Sequence, residues 1–330
     1  MQHDDLNGNL FGVVVIGRNE GERLKTCLTS IVGESKHIVY VDSGSTDDSV
    51  GLALTMGVAV AELDMTIPFT AARARNEGAD RLMQLAPDIE YIQFVDGDCE
   101  MVASWFAKSQ QAMSELKAGV VFGRLKERYP DASIYNHLCD IEWDVPVGEC
   151  SSCGGIALIR LSAFRSVSGF DPNLIAGEEP EMCVRLRRAG WHIYRIDADM
   201  ALHDASMTRF AQWWKRAVRA GHAYAEGASL HGASPEKHWV KEVRSNWLWG
   251  VSFAAILLVA LLEPVLLGLL LIYPVQMWRI YRRANPQWTP YERKLYAVFC
   301  VLAKLPLMLG QMKFCWNAMA GQKSKLIEYK

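Results

Sequence analysis

The sequence predicts an α/β catalytic region with a mostly parallel sheet flanked by helices, followed by a C-terminal α-helical region that associates with a membrane. Three observations carry this reading. Short apolar runs alternate with segments of helical spacing as far as about residue 235. The runs end in polar and acidic residues, as where Tyr91-Ile92-Gln93-Phe94-Val95 meets Asp96-Gly97-Asp98. Composition then changes near Trp247, after which Ala, Ile, Leu and Val dominate to Met277. The expected division is a catalytic domain over residues 1–235 and a helical membrane-associated region over 236–330.

The first run, Leu10 to Ile16, is β-branched through Val13-Val14-Val15-Ile16 and reads as a strand buried on both faces. Leu24, Cys27, Leu28 and Ile31 then fall at helical spacing. His37 to Val41 predicts a second strand, closed by Asp42-Ser43-Gly44-Ser45-Thr46-Asp47-Asp48. That loop leads into a helix which Ser45 or Thr46 can cap and whose positive end Asp47 and Asp48 favour. Val58 to Leu63 predicts a third strand, Thr70 to Leu85 a helix, and Tyr91 to Val95 another strand. Strands alternating with helices imply a sheet covered on both faces, whose ligands bind outside the carboxyl ends of the strands. Arg18-Asn19-Glu20, Asp42 and Asp96-Gly97-Asp98 all lie at such ends and should converge on one crevice. Paired carboxylates there suit a hard divalent cation, Mg²⁺ or Mn²⁺, that bridges to phosphate.

At 330 residues the chain can bury a core without disulfides. Its 35 basic and 37 acidic residues give a net charge of −2, which argues against nucleic acid as a partner. The start, Met1-Gln2-His3-Asp4-Asp5, is polar and acidic and does not read as a leader. Of the eight cysteines, Cys150 and Cys153 form the only close pair, and reduced, partly buried thiols are the expectation.

Taken in order and spacing, several segments resemble an inverting glycosyltransferase of family 2 with the A-type fold. They are Val15-Ile16-Gly17-Arg18-Asn19-Glu20, Val41-Asp42-Ser43-Gly44-Ser45-Thr46-Asp47, Ala74-Arg75-Asn76-Glu77-Gly78, Asp96-Gly97-Asp98, Gly154-Gly155, Gly169-Phe170-Asp171, Gly177-Glu178-Glu179-Pro180-Glu181 and Arg185-Leu186-Arg187-Arg188-Ala189-Gly190. The resemblance implies a nucleoside diphosphate sugar donor, a UDP- or GDP-sugar. Asp42 would hold its nucleoside, Glu20 would lie near base and ribose, and Arg75 rather than Arg73 would reach the ligand. Asp98 would bind the metal, and Asp96 would contact the ribose or the metal shell. The metal would neutralise the diphosphate leaving group. An inverting transfer also needs a carboxylate to take the acceptor's proton. The family usually has Glu-Asp at this point; here Glu178-Glu179 stands instead, with Glu179 in the place of the base and Glu178 the fallback. His203 stands where many members carry a histidine that can complete the metal shell.

Each residue also has a plainer reading. Asp42 could make an Asx turn, although Asp47 and Asp48 fit that role better. Glu178 and Glu179 could be first-turn helix glutamates. Gln212-Trp213-Trp214-Lys215-Arg216 departs from the Gln-x-x-Arg-Trp motif of processive synthases, and Trp213 and Trp214 read as residues at a membrane surface.

Val251 to Met277 is long enough to span a bilayer, but Glu263-Pro264 interrupts its middle. Halves of roughly 15 residues reach only ~22 Å, short of a ~30 Å core. A re-entrant hairpin or an in-plane pair therefore competes with a single span. Lys237, Lys241 and Arg244 precede the run, Arg279, Arg282 and Arg283 follow it, and Lys313, Lys323, Lys325 and Lys330 lie near the end. Basic flanks throughout place every end on the cytoplasmic face of the inner or plasma membrane. Leu295 to Phe314, interrupted by Lys304 and Pro306, reads as an interfacial helix, with a buried helical subdomain as the alternative. The function expected is metal-dependent transfer of a sugar to a lipid or lipid-linked glycan acceptor, in cell-surface polysaccharide or glycolipid synthesis. The rivals are a nucleotidyltransferase, for which Gly17-Arg18-Asn19-Glu20-Gly21 is a poor phosphate loop, and an inactive membrane scaffold.

Overall fold

The structure, a computed structural model, describes residues 11–322 and Ile327. The polar start at Met1–Asp5, Leu10 of the first expected strand, and Lys323, Lys325 and Lys330 lie outside the described residues. The chain forms two compact units. One comprises the chain up to Tyr129 together with Glu142–Ala205; the other comprises Pro130–Ile141 and the chain from Ser206 onward. This line differs from the division expected at 235/236. The reason is that the helix Phe210–His231 packs against the C-terminal helix Lys304–Met319 and so belongs with the helical unit.

The first unit is built from β1 (Phe11–Gly17), α1 (Glu22–Thr29), β2 (Ile38–Asp42), α2 (Ser49–Thr55), β3 (Ala59–Glu62), α3 (Ala71–Leu85), β4 (Tyr91–Asp96), β5 (Cys99–Met101), α4 (Ser104–Glu115) and β6 (Val120–Glu127). After α5 (Ile134–Glu142) come β7 (Gly148–Glu149), β8 (Ala157–Arg160), α6 (Leu161–Ser166), α7 (Glu178–Arg188) and β9 (Ile193–His203). The sheet runs β3-β2-β1-β4-β8-β6-β9-β5, with β7 on β9. Its first four strands are parallel, as their alternation with helices predicts. The second half is mixed, because β8 runs antiparallel to both β4 and β6, and β5 antiparallel to β9. Val13, Val14 and Val15 are fully buried, as a strand covered on both faces requires.

Two local details set the site. Thr70 caps α3, its Oγ1 accepting from the Arg73 amide at 3.1 Å. Gly78 lets α3 lie directly on the sheet, since a Cβ there would meet Val14 Cγ1 at 2.3 Å. The expected cap of the second helix is corrected. Ser45 Oγ accepts from the Asn19 amide, and the Thr46 amide donates to Asn19 Oδ1, so both are tied to the β1 loop. Asp47 Oδ1 instead accepts from the amide and hydroxyl of Ser49, where α2 starts.

The second unit holds α5, α8 (Phe210–His231), α9 (Val240–Val259), a 3₁₀ segment Pro264–Leu271 that runs into α10 (Ile272–Arg283), α11 (Pro290–Leu302) and α12 (Lys304–Met319). Glu263-Pro264 breaks the apolar run as expected, α9 ending at Val259. Leu261, Leu262 and Val265 around the break are 79–81% exposed. Pro264–Arg283 and Pro290–Met319 are both long and apolar enough to cross a membrane. Two expectations are corrected here. Trp213 is a core residue rather than a membrane-surface one, its ring 4.9 Å from Phe299 and 5.3 Å from Phe210. The Leu295–Phe314 stretch is two helices that bury Leu295, Phe299, Val301 and Met308 inside the unit. Lys304, which marked it as interfacial, donates inward to Ser245 Oγ and Asn246 Oδ1.

Candidate active site

Register brings the first acidic residues together. Gly17 of β1 pairs with Asp42, and Ile16 with Asp96, so both carboxylates stand at the carboxyl edge, on the two parallel strands that flank β1. Asp42 is almost wholly buried. Its Oδ1 accepts from the Tyr40 hydroxyl at 3.0 Å, and its Oδ2 accepts from the amides of Gly44 and Ser45 at 2.9 and 2.8 Å. Asp42 therefore makes a tight turn of its own, a role the sequence fits better to Asp47 and Asp48. Burial and then Asp42 raise the Tyr40 phenol, which keeps it a neutral donor. A carboxylate offers about four acceptor positions, so capacity remains for one ligand donor. Glu20 follows β1 and pairs with Arg23 at 2.7 Å. Its Cγ lies beside Gly97, next to the end of β4.

Arg75 gathers the next three acids. Buried on α3, it pairs through Nη2 with Asp96 Oδ1 at 3.0 Å, and through Nη1 with Glu178 Oε1 and Glu179 Oε1, each at 2.8 Å. Arg73 points elsewhere, donating to the carbonyls of Ile67, Pro68 and Asp64. Glu178 and Glu179 open α7, as the first-turn helix reading expects. Burial works against the Arg75 charge, but Glu179, Asp96 and Glu178 outweigh it and hold the guanidinium protonated. One cation cannot neutralise three acids. Burial first, then Glu178, push the Glu179 carboxyl up to about 7, against the opposing pull of Arg75. Gly155, which sequence reasoning left without a role, completes this group. A Cβ there would lie 2.3 Å from Arg75 Nη2, 3.0 Å from Asp96 Oδ2 and 3.1 Å from Glu179 Oε1. Only a bare backbone fits against the cluster.

Asp98 lies in a second group. Its Oδ1 is 3.4 Å from His203 Nε2 and 3.5 Å from Cys99 Sγ, and the three ligand atoms fall within 4.8 Å of one another. Asp96, expected to share the metal, does not belong to that group; its Oδ1 is engaged by Arg75. The carboxylate and imidazole fit Mn²⁺ better than Mg²⁺, which prefers oxygen alone, while the buried Cys99 thiol donates to Asp98 Oδ1. The surrounding field also favours a cation. The Cys27 thiol, which reaches the Asp96 carbonyl, is pushed well up by burial and then by Asp98, Asp96 and Glu20. Cys99 and His203 meet because they pair across β5 and β9. No local sequence signal marks Cys99, since only the strand pairing brings it there. All eight cysteines are free, and Cys153 Sγ lies 3.6 Å from Cys183 rather than joining Cys150.

Comparison with known proteins sets this geometry in a family. The model described as Glycosyl transferase family group 2 matches residues 81–317, and the one described as Glycosyl transferase family 2 matches residues 12–148. A pre-mycofactocin glycosyltransferase of Mycobacterium tuberculosis is 25% identical in an alignment that covers 66% of this chain and 47% of that protein. The chain thus spans about half the length of the curated relatives it matches. Among solved structures, a mannosyltransferase from Pyrobaculum calidifontis in complex with GDP-Man and Mn²⁺ superposes with a TM-score of 0.65 at 16% identity, covering 93% of this chain and 87% of that one. The 1–349 portion of S. aureus TarS, in complex with UDP-GlcNAc, superposes with a TM-score of 0.51 at 14% identity, covering 94% and 92%. At these identities the two structures share the fold.

Proposed function

The chain belongs to glycosyltransferase family 2, and on that premise we propose that it transfers a sugar, with inversion, from a nucleoside diphosphate donor to a hydroxyl of a lipid or lipid-linked acceptor. One observation carries the reading. Arg75 clamps Asp96, Glu178 and Glu179 at the carboxyl edge of the parallel strands, while burial and then Glu178 outweigh its pull and push the Glu179 carboxyl up to about 7. A general base works best when its pKa lies near the working pH. Glu179 would take the proton of the attacking hydroxyl, with Glu178 beside it as the fallback. Asp42 would receive the nucleoside of a UDP- or GDP-sugar, Glu20 would lie by the base and ribose, and Asp96 by the ribose. Arg75 would keep Glu179 turned into the crevice and lend positive charge near the diphosphate. Asp98 and His203 would hold a divalent ion, Mn²⁺ or Mg²⁺, whose chemistry when bound is to neutralise the leaving diphosphate.

The reading is tested with a panel of UDP- and GDP-sugars, measuring nucleotide release with Mn²⁺, with Mg²⁺ and with EDTA. Turnover of one nucleotide class that EDTA abolishes is expected. Failure of every donor to bind in the presence of Mn²⁺ would refute it. Gly155→Ala is expected to lower kcat/KM for that donor. The added methyl must push the guanidinium aside, at about 1–3 kcal/mol, or about 5- to 150-fold. Unchanged kinetics would show that the cluster is not used as it stands.

The second unit would anchor the protein on the cytoplasmic face of the inner or plasma membrane. Support comes from the exposed leucines and valine on either side of Glu263-Pro264 and from Arg279, Arg282 and Arg283 beyond them. Basic residues at such a boundary favour anionic headgroups. The expected arrangement is a hairpin that enters one leaflet and returns. Single cysteines are placed at Glu115, Leu262 and Arg283 in a cysteine-free background and labelled in sealed vesicles. Glu115→Cys and Arg283→Cys should label from the same face and Leu262→Cys from neither. Labelling of the Arg283 site only from the opposite face would require a span instead.

A further inference from the structure

We infer that Glu127 is a positioning residue that holds His203 in the orientation and tautomer a metal ligand needs. The inference rests on the proposed metal site. Glu127 ends β6 and pairs in register with His203 on β9, as Cys99 of β5 does from the other side. Three residues that no motif links are thus lined up across three neighbouring strands. Glu127 is 4% exposed, and a buried carboxylate is costly unless its oxygens are engaged. Two backbone amides engage it: Tyr129 donates to Oε1 at 3.1 Å and Ala205 to Oε2 at 3.0 Å. These amides fix the position of the carboxylate. What it can reach is the imidazole, since Oε2 lies 3.8 Å from His203 Nδ1 while His203 Nε2 faces Asp98 at 3.4 Å. Trp143 packs edge-on against the imidazole, 4.8 Å between ring centroids, and limits its rotation.

The ring is therefore held between two carboxylates, one at each nitrogen. With Nδ1–H directed to Glu127, the Nε2 lone pair is presented on the Asp98 side. Such a carboxylate behind a ligating histidine fixes the tautomer and raises the basicity of the ligand, and its loss typically weakens metal binding by about 10–100-fold. The 3.8 Å separation is longer than a hydrogen bond, so Glu127 acts on the ring through charge and position.

The test uses the full chain in detergent and Mn²⁺ alone, followed by electron paramagnetic resonance. Wild type, Asp98→Asn, His203→Gln, Glu127→Gln and the double variant Glu127→Gln/His203→Gln are titrated. Glu127→Gln is expected to weaken Mn²⁺ binding about 10–100-fold, but to add nothing once His203 is already Gln, because it acts through that ring. In protein loaded with diamagnetic Mg²⁺, selective ¹⁵N-histidine NMR should show the His203 proton on Nδ1 in wild type and redistributed between the nitrogens in Glu127→Gln. If Glu127→Gln fails to accumulate, Glu127→Asp, which keeps the charge but withdraws it from Nδ1, should show the same loss in smaller measure. Wild-type affinity in the Glu127 variant, or an equal loss in both His203 backgrounds, would overturn the inference while leaving the metal site standing. Equal Mn²⁺ binding by wild type and Asp98→Asn would instead overturn the metal site, and the inference with it.

Discussion

Asp98→Asn should abolish metal-dependent turnover of the sugar nucleotide and leave the fold intact. The side chain is buried beside Cys99 and His203, and asparagine keeps its volume while removing its charge. The backbone at this point does not depend on the carboxylate, because the Asp98 carbonyl accepts from the Asp204 amide at 3.2 Å. A hard cation loses its only carboxylate within that group, and the partner 3.4 Å from His203 goes with it. Loss of one electrostatic stabiliser of this kind typically lowers kcat by ~10²–10³-fold. A second readout needs no donor. Asp98 is the largest charge contribution, after burial, that pushes the Cys27 thiol up, so its pKa should fall in the variant. Retention of the wild-type rate and Mn²⁺ dependence in a protein with an unchanged melting curve would remove Asp98 from the site.

Glu179→Gln should lose about 10²–10⁴-fold in transfer while UDP or GDP binding survives. The carboxyl is buried on the Arg75 cluster and its pKa rises from 4.5 to about 7. A base must be ionised to act, so kcat/KM in wild type should climb as pH rises through about 7 and level off above it. The same shift has a consequence for stability. Between 4.5 and about 7 the folded chain holds a proton on Glu179 that the unfolded chain releases. Stability contributed by that proton is present at low pH and is lost as pH rises across the window. Glu179→Gln lacks the titrating group, so its stability relative to wild type should improve over the same interval. Full transfer activity in Glu179→Gln, with loss in Glu178→Gln, would move the base one residue back. A wild-type rate profile that levels off near 4.5 would contradict the role of burial.

Much of the scaffold was legible in local chemistry. The buried valines of β1, the Thr70 cap of α3 and the break at Glu263-Pro264 follow from side-chain period, hydrogen-bonding reach and a missing amide. Parallel strands also end on one edge, so Asp42 and Asp96 could be placed at the same sheet edge from sequence alone. Tertiary structure decided what those residues do to one another. Arg75 meets Glu178 across 103 residues, and Glu127, His203 and Cys99 meet only through strand register. Neither pairing leaves a periodic trace, because the residues that contact are far apart in the chain. Asp42 is held by amides of its own turn, a competition that composition does not reveal. The same limit governs the helical unit. An apolar helical face specifies that it must be covered, but lipid and protein satisfy that demand equally. The folded chain covers Trp213 and Phe299 with each other and leaves Leu261, Leu262 and Val265 bare.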